Sequence, residues 1–227
     1  MIFPPLRAVG RIFFAAYFRG RILRDAPVPR EGPLILVGNH SSVLDGILIH
    51  GVSRRPLRIF VAAEWVNWAP LRALFRTMGA IPVDRVRRNP ESVDAAVEAL
   101  ARGEAVALFP EGGIREEGSL GPFRLGAARL ALRTGAPVLP AAIIGSHEAQ
   151  PWPHKLPRPR RITIRSGEIL SFGAVDPRPA HGDLAAATEQ IRDAMAGLIA
   201  RGHGRAEAPR EAPREAPAPP PGADEIH

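Results

Sequence analysis

His40 and Asp45, five residues apart in Gly38-Asn39-His40-Ser41-Ser42-Val43-Leu44-Asp45-Gly46, form the pair in this chain best suited to moving a proton. Histidine takes a proton near neutral pH, and a carboxylate on its other ring nitrogen fixes the tautomer. The apolar run Pro33–Val37 reads as a buried strand and Val43–Val52 has helical spacing, so the pair lies at a strand-to-helix turn. The same residues also fit a plainer pattern. Ser42-Val43-Leu44-Asp45 is a capping box, in which Asp45 closes the helix start and His40 is a hydrogen-bonded loop residue. The local spacing weighs the two readings evenly.

A second chemical motif follows the strand-like run Ala105-Val106-Ala107-Leu108. In Phe109-Pro110-Glu111-Gly112-Gly113 the glycines let backbone N–H groups approach an anion closely, although Pro-Glu-Gly-Gly is also an ordinary turn. The remaining histidines, His50, His147, His154, His181, His203 and His227, lack a suitably spaced carboxylate in a strand-exit motif, and no metal-ligand cluster is visible. With no cysteine, disulfides, thiolate metal sites and a cysteine acyl-enzyme are excluded.

The elements that must position these residues alternate. Strand-like segments fall at Leu34–Val37, Leu57–Ala62, Ala80–Val83, Ala105–Phe109, Val138–Ile144 and Arg161–Ser166, with helical ones near 43–53, 65–77, 91–102, 123–134 and 183–200. The class is therefore α/β, a sheet covered on both faces by helices, with functional residues at the strand exits. The chain divides into an N-terminal amphipathic arm over residues 1–30, one domain over 31–203 and a tail over 204–227. In the tail Glu-Ala-Pro-Arg repeats at 207–210 and 211–214 and runs into a proline tract, a composition that cannot bury enough apolar surface to offset chain entropy and predicts disorder.

The net charge of +7 is concentrated at the start, where six arginines face one aspartate in the first 30 residues. A helix is expected over Leu6–Leu23, with Leu6, Val9, Ile12, Phe13, Ala16 and Tyr17 on one face, Arg7, Arg11 and Arg21 on the other, and Phe14 and Phe18 breaking the pattern. Its uncharged run, Ile12–Phe18, is far short of the ~20 residues a membrane-spanning helix needs, and no signal-peptide cleavage site follows. It reads as an interfacial helix at an anionic membrane surface, against the alternative of a helix packed on the protein's own core.

Four blocks in order give the chain a family likeness. Asn39-His40-Ser41-Ser42-Val43-Leu44-Asp45, Gly79-Ala80-Ile81-Pro82-Val83-Asp84-Arg85, Phe109-Pro110-Glu111-Gly112 and Val138-Leu139-Pro140-Ala141-Ala142-Ile143 resemble the motifs of the lysophospholipid and glycerol-phosphate acyltransferases, over roughly residues 30 to 170. The resemblance implies the glycerol-3-phosphate acyltransferase fold, a mixed sheet flanked by helices. It also implies acyl transfer from acyl-CoA or acyl carrier protein, as co-substrate and without a cofactor, to the free hydroxyl of a lysophospholipid. The acceptor expected first is 1-acylglycerol-3-phosphate, giving phosphatidate, with another lysolipid or lyso-aminolipid as the alternative.

In that mechanism His40 is the base and Asp45 its partner, Arg85 is the best single phosphate ligand, and Glu111 and Gly112 belong to the acceptor pocket. The family usually continues Glu-Gly with Thr-Arg. Here Gly113 and Ile114 stand in those places and Arg115 comes one position late. Arg115 and Arg124, the latter in a Phe-Arg-Leu-Gly resembling the family's Phe-Lys-x-Gly, are the substitute anion ligands. The implied setting is peripheral or monotopic on the cytoplasmic face of the cell membrane. A serine hydrolase would want Gly-x-Ser-x-Gly, which is absent. A nucleic-acid-binding module would interleave arginines with exposed aromatics along one element, whereas the aromatics here cluster in the arm and the apolar runs.

Overall fold

The computed structural model describes residues 4–67, 69–84, 90–115, 119–151, 156–173 and 175–203. Arg85 and the proline-rich tail from residue 204 lie outside these residues.

The chain runs α1 (Pro4–Tyr17), β1 (Arg21–Arg24), β2 (Leu34–Gly38), α2 (Asp45–Leu48) with a single 3₁₀ turn (Ile49–Gly51), β3 (Leu57–Ala62), α3 (Ala63–Val66) and α4 (Ala69–Thr77). It continues through β4 (Ile81–Val83), α5 (Pro90–Ala101), β5 (Ala105–Leu108), α6 (Gly126–Thr134), β6 (Val138–Ile144), α7 (Ser146–Ala149), β7 (Thr163–Ser166) and α8 (His181–His203). The strands form a seven-stranded sheet in the order β1-β7-β6-β2-β5-β3-β4. β6, β2, β5, β3 and β4 run parallel, as the connecting helices require, and β7 turns antiparallel to β6.

The central strands are buried on both faces. Along β2, Ile35 and Val37 join Val106, Leu108 and Val138 under α5, α6 and α8, while Leu34 and Leu36 face the opposite layer with Leu48, Ile49, Leu139 and Ile143. The two-residue alternation thus splits one apolar run between two cores, which is why these strands read as unbroken hydrophobic segments. Pro140 sits within β6 where the antiparallel ladder is interrupted: β7 ends at Ser166, Gly167 N donates to the Pro140 carbonyl at 2.9 Å, and pairing resumes only at Leu170.

The N-terminal helix is shorter than its sequence pattern predicts. It closes after Tyr17, where Arg19 takes a left-handed φ of 46° and Gly20 N donates back to the Phe14 carbonyl at 3.1 Å. Arg21–Leu23, expected to continue the helix, instead belong with Arg24 to edge strand β1, parallel to β7, so the sheet already begins inside the segment read as an arm. The faces differ too. Phe18 is buried with Phe14 and Tyr17 packed beside it, whereas Val9, Ile12 and Phe13 are 62%, 69% and 52% exposed. Phe14 and Phe18, which break the helical pattern, pack with Tyr17 on the core, Phe14 from within the helix and Phe18 from just past its end.

Candidate active site

Strand β2 ends at Gly38, and three of the next four residues are stitched to the neighbouring strand and the helical turn after it. Asn39 pairs with Ile143 on β6 like a ladder residue, its Nδ2 donating to the Ile143 carbonyl at 3.0 Å and its Oδ1 accepting from Ile143 N at 2.7 Å. Ser41 Oγ meets Ser146 Oγ of α7 at 3.0 Å, and Ser42 Oγ donates to Gln150 Oε1 at 3.4 Å. All five side chains are buried, so each bond satisfies a polar group that would otherwise be costly to bury.

This sewn turn holds the dyad. Asp45 is wholly buried, and its Oδ2 accepts from Ser41 N and Ser42 N, both at 2.7 Å, and meets His40 Nδ1 at 3.3 Å. One oxygen of Asp45 thus serves both the backbone of the turn ahead of α2 and the His40 ring. With Asp45 ionised, the proton lies on Nδ1 and the Nε2 lone pair is left for chemistry. The His40 side chain is 15% exposed, enough to be reached. On one side its ring stacks on Phe109, with centroids 4.3 Å apart and an interplanar angle of 17°.

The third block closes over the turn from β5, the strand beside β2. Glu111 Oε1 accepts from His40 N at 2.9 Å and its Oε2 from Gly121 N at 3.3 Å, while Arg115 N donates to the His40 carbonyl at 2.8 Å. Gly112 has φ +74°, and the Arg124 side chain lies where a Cβ would stand, so only glycine fits there. The Arg115 side chain packs against Gly121, with Nε buried and lacking a hydrogen-bond partner among the described residues. Burial pushes the Glu111 carboxyl above the usual carboxylate range, opposed by its backbone donors and by the positive charge of Arg115.

Of the residues singled out by sequence, His40, Asp45, Glu111, Gly112, Arg115 and Arg124 converge at the ends of β2 and β5. Arg85 is outside the described residues, just beyond Asp84 and edge strand β4. The N–H groups of residues 40–42 and of Gly112 are engaged, with Asp45, Glu111 and the Phe109 carbonyl. The Ser41 and Ser42 hydroxyls are turned into the interior, toward Ser146 and Gln150. Ser146 and Gln150 were not found from sequence. Ser146 is the first residue of a short helix capped by Gly145, and only the β2–β6 pairing reveals what it meets.

Residues 21–144, more than half of the chain, match the profile of the Acyltransferase family. The chain belongs to the Acyltransferase family. Among its curated relatives is a chloroplastic 1-acyl-sn-glycerol-3-phosphate acyltransferase of Brassica napus, 33% identical over 128 residues, which are 53% of this chain and 36% of that one. Another, a probable 1-acyl-sn-glycerol-3-phosphate acyltransferase of Mycoplasma genitalium, is 29% identical over 130 residues, 55% of this chain and 48% of that one. The matched region of this acyltransferase-family chain is thus less than half the length of either relative. The crystal structure of the 1-acyl-sn-glycerophosphate acyltransferase PlsC from Thermotoga maritima has the same fold, with a TM-score of 0.69 at 20% identity over 89% of this chain and 81% of that one.

The raised Glu111 carboxyl gives a pH prediction. A carboxyl whose folded-state pKa lies above its unfolded value binds protons more readily when folded, so its contribution to stability is present at low pH and lost as pH rises through the folded value. Urea unfolding of wild type and Glu111→Gln from about pH 4 to about pH 7 should find wild type losing stability relative to the variant with rising pH. A flat difference, or one that rises with pH, contradicts the desolvated placement of this carboxyl.

Proposed function

We propose that the chain transfers a fatty acyl group from acyl-CoA or acyl carrier protein to the free hydroxyl of a lysophospholipid, with 1-acylglycerol-3-phosphate as acceptor and phosphatidate as product. The observation that carries this reading is the buried Asp45 on His40 Nδ1, which leaves Nε2 as a base at a strand exit. Nε2 takes the acceptor's hydroxyl proton as the oxygen attacks the thioester carbonyl. The C–S bond then breaks, the proton passes to the departing thiolate, and an ester replaces the thioester. The transfer is direct: the chain has no cysteine, and both serine hydroxyls beside His40 are committed inward.

Arg115 and Arg124 flank Glu111 and Gly112 on the third-block side, and their guanidinium groups suit an acceptor phosphate. Both carboxylate oxygens of Glu111 accept backbone N–H groups, so it acts by fixing the third block to the His40 turn. General-base catalysis contributes about 10² to 10⁴ in rate. Turnover by His40→Ala should fall by that amount with its unfolding midpoint preserved, and Asp45→Asn should be similarly severe. Near wild-type turnover by purified His40→Ala contradicts the assignment.

The same reading puts the protein on the cytoplasmic face of the cell membrane as a peripheral or monotopic enzyme. Supporting it, Val9, Ile12 and Phe13 are exposed on α1 near Arg11, and no helix among the described residues is long and apolar enough to cross a membrane. A deletion through residue 24 would remove β1 and the Phe18 anchor, so the informative variant is the triple Val9→Ser, Ile12→Ser, Phe13→Ser. It should lose at least about tenfold in affinity for phosphatidylglycerol-containing vesicles, since burying three such side chains favours binding by several kcal/mol. Unchanged cosedimentation rejects the interfacial role of α1.

A further inference from the structure

The Phe109 ring lies nearly parallel to the His40 imidazole, 4.3 Å between centroids, and reaches that position from the end of β5 across the end of β2. Room for it exists because residue 38 is glycine. A Cβ there would stand 2.8 Å from Phe109 Cε1 and 2.5 Å from Ile49 Cδ1, both closer than real Cβ contacts. Residues 38 and 40, two apart at a strand end, address the same side, so one ring fills the gap above Gly38 and covers one face of the histidine.

Proton uptake at Nε2 turns the neutral imidazole into an imidazolium beside two stabilising features. Asp45 Oδ2 meets Nδ1 at 3.3 Å, and the negative π-face of Phe109 covers one face of the ring. The Asp45 contact also fixes the tautomer before reaction, whereas the electrostatic part of the Phe109 contact grows as charge develops on the ring. An interaction stronger in the transition state than in the ground state accelerates the step itself. Among the described residues, the other charged residues at His40 are Glu111, on its backbone N–H, and Arg115, whose backbone N–H binds the His40 carbonyl.

We infer that Phe109 is a positioning residue for acyl transfer, its aromatic face fixing the His40 ring and stabilising the imidazolium that forms during proton transfer. The inference rests on His40 being the general base. It differs from a packing role in requiring a π-face and not merely an apolar side chain of similar size.

The test compares Phe109→Leu, Phe109→Tyr and His40→Ala in the full chain, using an acyl-CoA donor and 1-acylglycerol-3-phosphate. Phe109→Leu should lower kcat by about 3- to 30-fold with both KM values nearly unchanged. The acidic limb of its kcat–pH profile should move to lower pH by about half to one unit, because an imidazolium without the π-face loses its proton more easily. Phe109→Tyr, which keeps the face, should restore most of both effects. Should Phe109→Leu fail to fold, Phe109→Met removes the face with a flexible side chain of similar size. An inactive His40→Ala beside an unchanged Phe109→Leu overturns the stacking role and leaves the base intact. Equal losses in the Leu and Tyr variants, or an unmoved acidic limb, also overturn it. An active His40→Ala overturns both this inference and the base assignment.

Discussion

One oxygen atom, Asp45 Oδ2, organises the site. It collects the Ser41 and Ser42 N–H groups and the His40 imidazole, and it does so inside the protein, where a carboxylate deprived of donors would be several kcal/mol less stable. Its second oxygen has no hydrogen-bond partner among the described residues. Loss of the carboxylate would free two backbone donors and the imidazole together. The surrounding bonds, Asn39 to β6, Ser41 and Ser42 to α7, and Glu111 to the His40 N–H, keep the turn in the geometry that makes this coordination available.

The sheet order explains why such distant segments meet. β2 lies between β6 and β5, so the turn after β2 is flanked by α7 on one side and by Phe109–Gly112 on the other. Residues 39–45, 109–124 and 143–150 are separated by up to about a hundred positions, yet they leave neighbouring strands at one end of the sheet. The crevice at the carboxyl ends of parallel strands is the usual place for chemistry in such folds, because the loops there can vary without disturbing the core.

Much of this was legible in the sequence. The strands Leu57–Ala62 and Val138–Ile144 have the bounds expected from their apolar runs, and the His40–Asp45 spacing pointed to the turn they occupy. What was not legible depends on long-range pairing. Arg21–Arg24 carries arginines at both ends and joins a helical pattern, and it becomes a strand only because β7 offers it an edge. The helical periodicity set Phe14 and Phe18 apart from the apolar face; Phe18 follows the helix end marked by the left-handed Arg19, and Phe14 packs on the core from within the helix. Ser146 and Gln150 carry no motif of their own; their meaning lies in what β2 brings beside them. The late arginine of the third block was visible as a departure, but its backbone bond to the His40 carbonyl was not.

On the proposed function, the His40–Asp45 turn passes an acyl group from a thioester to a lipid hydroxyl instead of to water. The most direct measurement is release of free thiol by the purified full chain from an acyl-CoA, and from an acyl carrier protein thioester, with and without 1-acylglycerol-3-phosphate. Thiol release that depends on the acceptor and matches phosphatidate formation mole for mole is the predicted result. Release at the same rate without acceptor, or no release from either donor when acceptor is present, would contradict it.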